Sequence, residues 1–210
     1  MALPIIGVLA LQGAVEPHRK HIEAYGAEFR AVKTPQQFES VDAFILPGGE
    51  STTMLKLIEA FDLWDSLVKQ FAMKPVWGIC AGSILMADRV ENPPQKSFGL
   101  LPITVQRNAY GRQLESHHAL IDGYEVSFIR APVIISPSPS IPLPSGRGKV
   151  SEAKQGEGLE IRATHEGNPV WVQKGQYMAT TFHPELTLDF PSPMHREFVN
   201  LARNKGKVAA

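Results

Sequence analysis

The chain has one cysteine, Cys80, in the stretch Gly78-Ile79-Cys80-Ala81-Gly82. A lone cysteine is by default a small buried hydrophobe. The neighbours of Cys80 support a second reading. Pro75-Val76-Trp77 has the composition of the end of a buried strand, and Ala81 to Ala87 that of a helix start. A nucleophile between two glycines, at a strand-to-helix turn, has the form of a nucleophile elbow. Small residues are needed there because strand and helix nearly touch. The helix N-terminus beneath favours a thiolate.

A thiolate nucleophile needs a base, and the base needs an orienting group. Of the seven histidines, His183 stands out: it ends the apolar run "YMATTF" and precedes Pro184-Glu185. A residue leaving the C-terminal edge of a parallel sheet faces the crevice where ligands bind. Pro184 sets the backbone so that Glu185 can return toward the ring and hold one tautomer. The alternative is that His183 packs beside the last helix and Glu185 caps it; the elbow favours a Cys80–His183–Glu185 set. His18 and His21 read as solvated on a charged helix face, and His165 and His195 as surface positions. His117 and His118 lie in a polar stretch without special company.

A tetrahedral intermediate also needs backbone N–H donors. Ala81 follows the nucleophile and supplies one. "LPGGEST" (Leu46 to Thr52) places Gly48-Gly49 at the end of a neighbouring strand, where glycine lets the backbone approach closely. A tight turn or a phosphate loop would use the same letters, but no Gly-Lys-Ser/Thr follows.

These groups require a scaffold that brings strand ends together. Ile5–Leu11, Glu28–Lys33, Asp42–Leu46 and the run at Val76 read as strands, separated by helices near Glu16–Tyr25, from a Ser51 cap, and from an Asp62 cap to about Ala72. In the second of these, Met54, Ile58 and Phe61 share one face. This order predicts an α/β fold: a single three-layer domain over 1–210, with a central mostly parallel sheet, helices on both faces and a small antiparallel extension. Strands are expected at Ile103–Gln106, Tyr124–Ile129, Val133–Ile135, Leu159–Ala163, Pro169–Gln173 and Tyr177–Phe182. A final helix carries Met194, Phe198 and Leu201 on one face. The Ser/Pro-rich segment at about 136–148 predicts a flexible surface insertion.

Composition excludes several classes. The 210 residues carry 21 basic and 21 acidic side chains, so no nucleic-acid or anionic-membrane partner is indicated. One cysteine excludes an internal disulfide framework and agrees with a cytoplasmic location. No apolar run is long enough to span a bilayer. The opening "MALPIIGVLALQGA" lacks the basic start of a signal peptide. No histidine or cysteine spacing suggests a metal site.

Together, "WGICAG", "LPGGEST" and "TFHPEL" resemble the class I glutamine amidotransferases of the Cys-His-Glu type. More narrowly, "GVLALQGA", "QRNAYGRQ" (106–113) and "FIRAP" (128–132) resemble the glutaminase subunit of pyridoxal 5′-phosphate synthase. The chain departs from that pattern at Ile79, where threonine is usual, and at Ser83, where leucine is common. The resemblance implies that Cys80 attacks the side-chain amide of L-glutamine, His183 transfers the proton, Glu185 orients His183, and a glutamyl thioester is hydrolysed. It implies an oxyanion hole at Gly49 and Ala81, and substrate contacts from Gly49, Glu50, Ser51, Arg107, Ile129 and Arg130. It implies no cofactor and no metal in this chain, and a hetero-oligomer with a (β/α)8-barrel synthase that receives the ammonia. Partner docking is expected to turn the Gly48–Gly49 peptide and complete the oxyanion hole, with Gln12 at the same sheet edge as sensor. Other readings remain at this point: the glutaminase of another amidotransferase, a cysteine-elbow peptidase or deglycase, or a docking module without catalysis.

Overall fold

A computed structural model of the protein describes residues 2–108, 116–137 and 158–204. The first half runs β1 (Ile5–Leu9), α1 (His18–Ala24), β2 (Glu28–Val32), α2 (Pro35–Glu39), β3 (Ala43–Leu46), α3 (Ser51–Ala60), α4 (Trp64–Phe71), β4 (Val76–Ile79) and α5 (Ala81–Met86). The second half runs β5 (Ala87–Glu91), β6 (Leu101–Gln106), β7 (His117–Ile121), β8 (Tyr124–Phe128), β9 (Val133–Pro137), β10 (Glu160–His165), β11 (Asn168–Lys174), β12 (Tyr177–Thr180) and α6 (Pro193–Asn204).

The main sheet has the order β10-β11-β12-β4-β3-β1-β2. β12, β4, β3, β1 and β2 are parallel, while β10 and β11 extend the sheet by antiparallel pairing. The expected mostly parallel sheet with an antiparallel extension is therefore present. Side chains alternate between two cores, one on each face. On β3, Phe44 and Leu46 join Phe38, Met54, Ile58, Leu67 and Phe71 from α2, α3 and α4. Ala43 and Ile45 turn the other way, to Ile22 of α1, Phe198 of α6 and Val126 of β8. Burial on both faces explains why these strands read as continuous apolar runs.

Several local expectations give way to the structure. The N-cap of α3 is Glu50, not Ser51: Glu50 is the last extended residue, and its two carboxylate oxygens accept from the N–H groups of Thr52 and Thr53. Phe61 is 61% exposed, because α3 ends at Ala60 and the next residue turns away from the buried face. Asp62 lies in the turn at φ +51, and α4 begins after Leu63 without a side-chain cap. The helix after the elbow stops at Met86, and Ala87 already pairs with Leu101. Ser136 and Pro137 belong to β9, opposite Thr104 and Ile103. The rest of the expected insertion, 138–148, lies outside the described residues, as does 109–113 of the "QRNAYGRQ" stretch. Among the described residues, no helix is long and apolar enough to cross a membrane.

Candidate active site

Four neighbouring strands deliver the site at their C-terminal ends. β1 leads to Gln12 and Gly13, β3 to Gly48-Gly49, β4 to Cys80 and β12 to His183. β1 and β3 are neighbours, and the connections that follow them run in opposite directions, β1 to β2 and β3 to β4, which opens a crevice between them.

Cys80 has φ +49 and ψ −104. This conformation costs about 1–3 kcal/mol and persists only where its surroundings enforce it. Cys80 N–H donates to Thr180 O at 2.8 Å, and Ser83 Oγ donates to Cys80 O at 2.7 Å. The flanking glycines are obligatory spacers. A Cβ on Gly82 would stand 2.0 Å from Leu46 O, and one on Gly78 would stand 2.5 Å from Gly82 O. Cys80 is only 6% exposed, yet it lines the crevice rather than a sealed core. Its thiol donates to Ile129 O at 3.8 Å.

His183 is gripped through its backbone. Its N–H donates to Ser127 O at 2.7 Å, and Ser127 N–H donates to His183 O at 3.2 Å. β8 thus holds the ring in place against Gly48, where an added Cβ would meet His183 Cε1 at 2.1 Å. Nδ1 of His183 donates to Glu185 Oε1 at 2.8 Å, and the ring lines the same crevice as Cys80. Burial alone would lower the imidazole pKa. Hydrogen bonds and charge from Cys80 and Glu185 outweigh that, and the ring is pushed up to about 10. Glu185 is 2% exposed and stands behind His183. Burial acts to raise its carboxyl, but His18 and His183 prevail and hold it below the ordinary carboxylate range.

The crevice measures about 460 Å³. Gly49, Glu50 and Ser51 line it together with Cys80, Ala81 and His183. Arg107, Ile129 and Arg130 line it as well, so of the expected triad, oxyanion-hole and substrate-contact residues only Glu185 stands outside it. Arg130 is held at φ +46. Glu50 is not a free carboxylate: it caps α3 and lies 3.5 Å from Arg107, which also donates to Thr52 Oγ1 at 2.8 Å. Burial would raise the Glu50 carboxyl, but donors from Thr53 and Thr52 bring it to about 2. Gly48 O accepts from Ala14 N–H at 2.9 Å, and Gln12 Oε1 accepts from Glu50 N–H at 2.8 Å. The loop after β1 therefore carries the glycine pair.

The sequence matches the SNO glutamine amidotransferase family over residues 8–202. The chain belongs to the SNO glutamine amidotransferase family. Within it, the chain is 40% identical over 206 residues to "Pyridoxal 5'-phosphate synthase subunit PdxT" of Thermotoga petrophila, covering 94% of this chain and 99% of that one. It is 44% identical over 213 residues to the protein of that name in Geobacillus kaustophilus, covering 98% and 97%. A crystal structure of a glutamine amidotransferase superposes with TM-score 0.77 at 35% identity, covering 94% of this chain and 98% of that one.

The two departures from the pattern noted for this amidotransferase type are absorbed locally. Ile79 is fully buried, and Ser83, also buried, spends its hydroxyl on the elbow carbonyl. Three histidines overturn the sequence reading: His18 and His21 are 0% exposed and His195 1%. A signal was present. His18, His21 and Ile22 follow i, i+3, i+4 spacing, and His195, Phe198 and Ala202 continue one face of α6.

Proposed function

We propose that this chain hydrolyses L-glutamine to L-glutamate and ammonia, as the glutaminase subunit of a cytoplasmic pyridoxal 5′-phosphate synthase. One observation carries the reading: Cys80, strained at its elbow, lines one crevice with a His183 ring bonded to a buried carboxylate and with a glycine pair at its edge. The names of its relatives support the narrower assignment.

Sγ of Cys80 attacks the amide carbon, and the oxygen takes the negative charge. N–H groups of Ala81 and Gly49 are the donors proposed to meet it. As the C–N bond breaks, His183 gives its Nε2 proton to the departing nitrogen, releasing ammonia. Glu185 keeps Nδ1–H in place, so Nε2 faces the reaction. A water then attacks the thioester, its proton passes to His183, and glutamate leaves with Cys80 restored. The α-ammonium and α-carboxylate of glutamine are complementary to Glu50 and Arg107 or Arg130. Glu50 and Arg107 hold each other until substrate competes for them. Ser51 and Ile129 complete the proposed pocket.

Free ammonia is protonated near neutral pH and loses its nucleophilicity. The ammonia is therefore passed to a (β/α)8-barrel synthase in a hetero-oligomer. Docking at the Gln12 edge would set the Gly48–Gly49 peptide. The test is glutamate release by the chain alone and with the cognate synthase subunit. A strong rise on mixing, abolished by Cys80→Ala, is expected. Turnover that is unchanged by the partner would remove the docking step, and turnover retained by Cys80→Ala would remove the nucleophile.

A further inference from the structure

Behind the Cys80–His183–Glu185 line lies a second row of titratable groups that the reaction above does not use. His18 Nε2 lies 4.0 Å from Glu185 Oε1. His18 Nδ1 lies 2.9 Å from His195 Nε2. His195 stacks on His21, with ring centroids 4.6 Å apart and planes 18° apart. His21 Nδ1 accepts the Ser192 N–H at 3.0 Å. Trp77 closes the group, edge-on to His195 at 4.8 Å. All three histidines are buried, and burial lowers the pKa of each, so all three are neutral rings.

A neutral imidazole carries one N–H and one lone pair. Turned toward a buried carboxylate, a lone pair would be repelled and an N–H attracted. His18 therefore carries its proton on Nε2. Its Nδ1 is then an acceptor, so the 2.9 Å contact is a donation from His195 Nε2–H. Among the described residues, His18 Nε2 and Glu185 Oε2 are buried and have no hydrogen-bond partner, which leaves a donor and an acceptor unsatisfied.

We propose that His18 is a positioning residue for the glutaminase reaction: its Nε2–H, 4.0 Å from Glu185 Oε1, orients the carboxylate from behind, and His195 fixes the tautomer that makes this possible. The row then reads His195 to His18 to Glu185 to His183 to Cys80, tying α6 and α1 to the nucleophile. A carboxylate bonded to His183 on one side and faced by an N–H on the other aims the His183 ring more narrowly than one with the first contact alone. Glu185 is faced by His183 and His18, with His21 and Tyr124 also within electrostatic range. His18 is faced by Glu185, His183, His195 and His21, and Lys20 acts on His21. Neutral rings supply direction here rather than charge.

This inference rests on the proposed glutaminase reading, and the experiment separates the two. Long-range ¹H–¹⁵N correlation spectra of the intact chain report histidine tautomers without any activity. His18 with its proton on Nε2 and His195 with its proton on Nε2 are expected. The opposite tautomer at His18, or a charged His18 at pH 7, overturns the proposal even if glutamine is hydrolysed. In parallel, H18F and H18Q are compared in the complex with the cognate synthase. Phenylalanine fills the space without a donor; glutamine restores an N–H near the Nε2 position. H18F should lose about 10-fold in kcat with little change in KM. Its acid limb should move up by about one pH unit, because Glu185 loses a group that keeps it ionised. H18Q should recover most of both. A folded H18F with the parent pH profile, or equal losses in H18F and H18Q, defeats the proposal. If H18F does not fold, the tautomer measurement alone decides. A parent chain without glutaminase activity would instead defeat the functional reading.

Discussion

Glu185 sits 2.8 Å from His183 Nδ1 and never reaches the crevice, so its contribution is to the ring and not to the substrate. Exchanging charge for shape isolates that contribution. E185Q keeps an acceptor at the same place but removes the negative charge. His183 then loses one of the groups that hold it near 10, and its pKa falls. The proposed general acid is then deprotonated at lower pH, so the alkaline limb of kcat/KM should descend by about 1–3 pH units. A pH–rate profile of the complex checks this; an unmoved alkaline limb would show that the Cys80 sulfur alone sustains the imidazolium. At this scale the convergence of the candidate site was largely legible. Cys80, His183 and Glu185 stand out because each ends a strand or opens a turn, where side-chain type and chain direction together determine what a residue can face. The buried histidines did not stand out. A histidine between arginine, lysine and glutamate carries no apolar signature, although the spacing of His18, His21 and Ile22 matches one helical face.

Between the residues and the fold stands the loop that follows β1. Gln12 Oε1 holds the Glu50 N–H, Ala14 holds the Gly48 carbonyl, and Glu50 in turn caps α3. One helix N-terminus, one glycine pair and one strand end therefore move together. Q12L keeps the bulk and removes the acceptor. With synthase present, glutaminase turnover should fall about 2- to 10-fold, corresponding to the loss of about 0.5–1.5 kcal/mol from one hydrogen bond. Alkylation of Cys80 by a small electrophile should be unchanged, since the elbow is held by Thr180 and Ser83 instead. Slower alkylation in Q12L would mean that the loop also supports the nucleophile. Element boundaries were less legible than elements. The parallel strands declare themselves by runs of apolar residues buried on both faces. α2 offers only Phe38 as a buried residue in five, and β7 alternates exposed and half-buried positions, so neither gives a hydrophobic period to read. Glu50 was misread because the spacing of a cap does not reveal which of two adjacent polar residues faces the helix.

For the molecule as a whole, the row of neutral histidines predicts acid lability. His18, His21 and His195 each have a folded pKa below the unfolded value of 6.5, with His21 at about 4. The unfolded chain therefore binds more protons. Their contribution is complete above pH 6.5 and is lost as pH falls toward and through their folded values. His183 has the opposite sign: its contribution is complete below 6.5 and is lost as pH rises through about 10. Thermal melts should give a falling Tm from pH 7 to pH 5 and again toward pH 10. A Tm that is flat between pH 7 and pH 5 would contradict the buried, neutral state of the three rings.

The grip of β8 on His183 has a mechanical consequence. Ser127, which exchanges both backbone hydrogen bonds with His183, is two residues from Ile129 and three from Arg130 on the crevice wall. In the proposed reaction, a glutamine molecule seated against that wall would load the same short ribbon that holds the His183 backbone. Occupancy and readiness would then be coupled through one stretch of backbone, from the crevice wall at Arg130 to the Ser127–His183 pair.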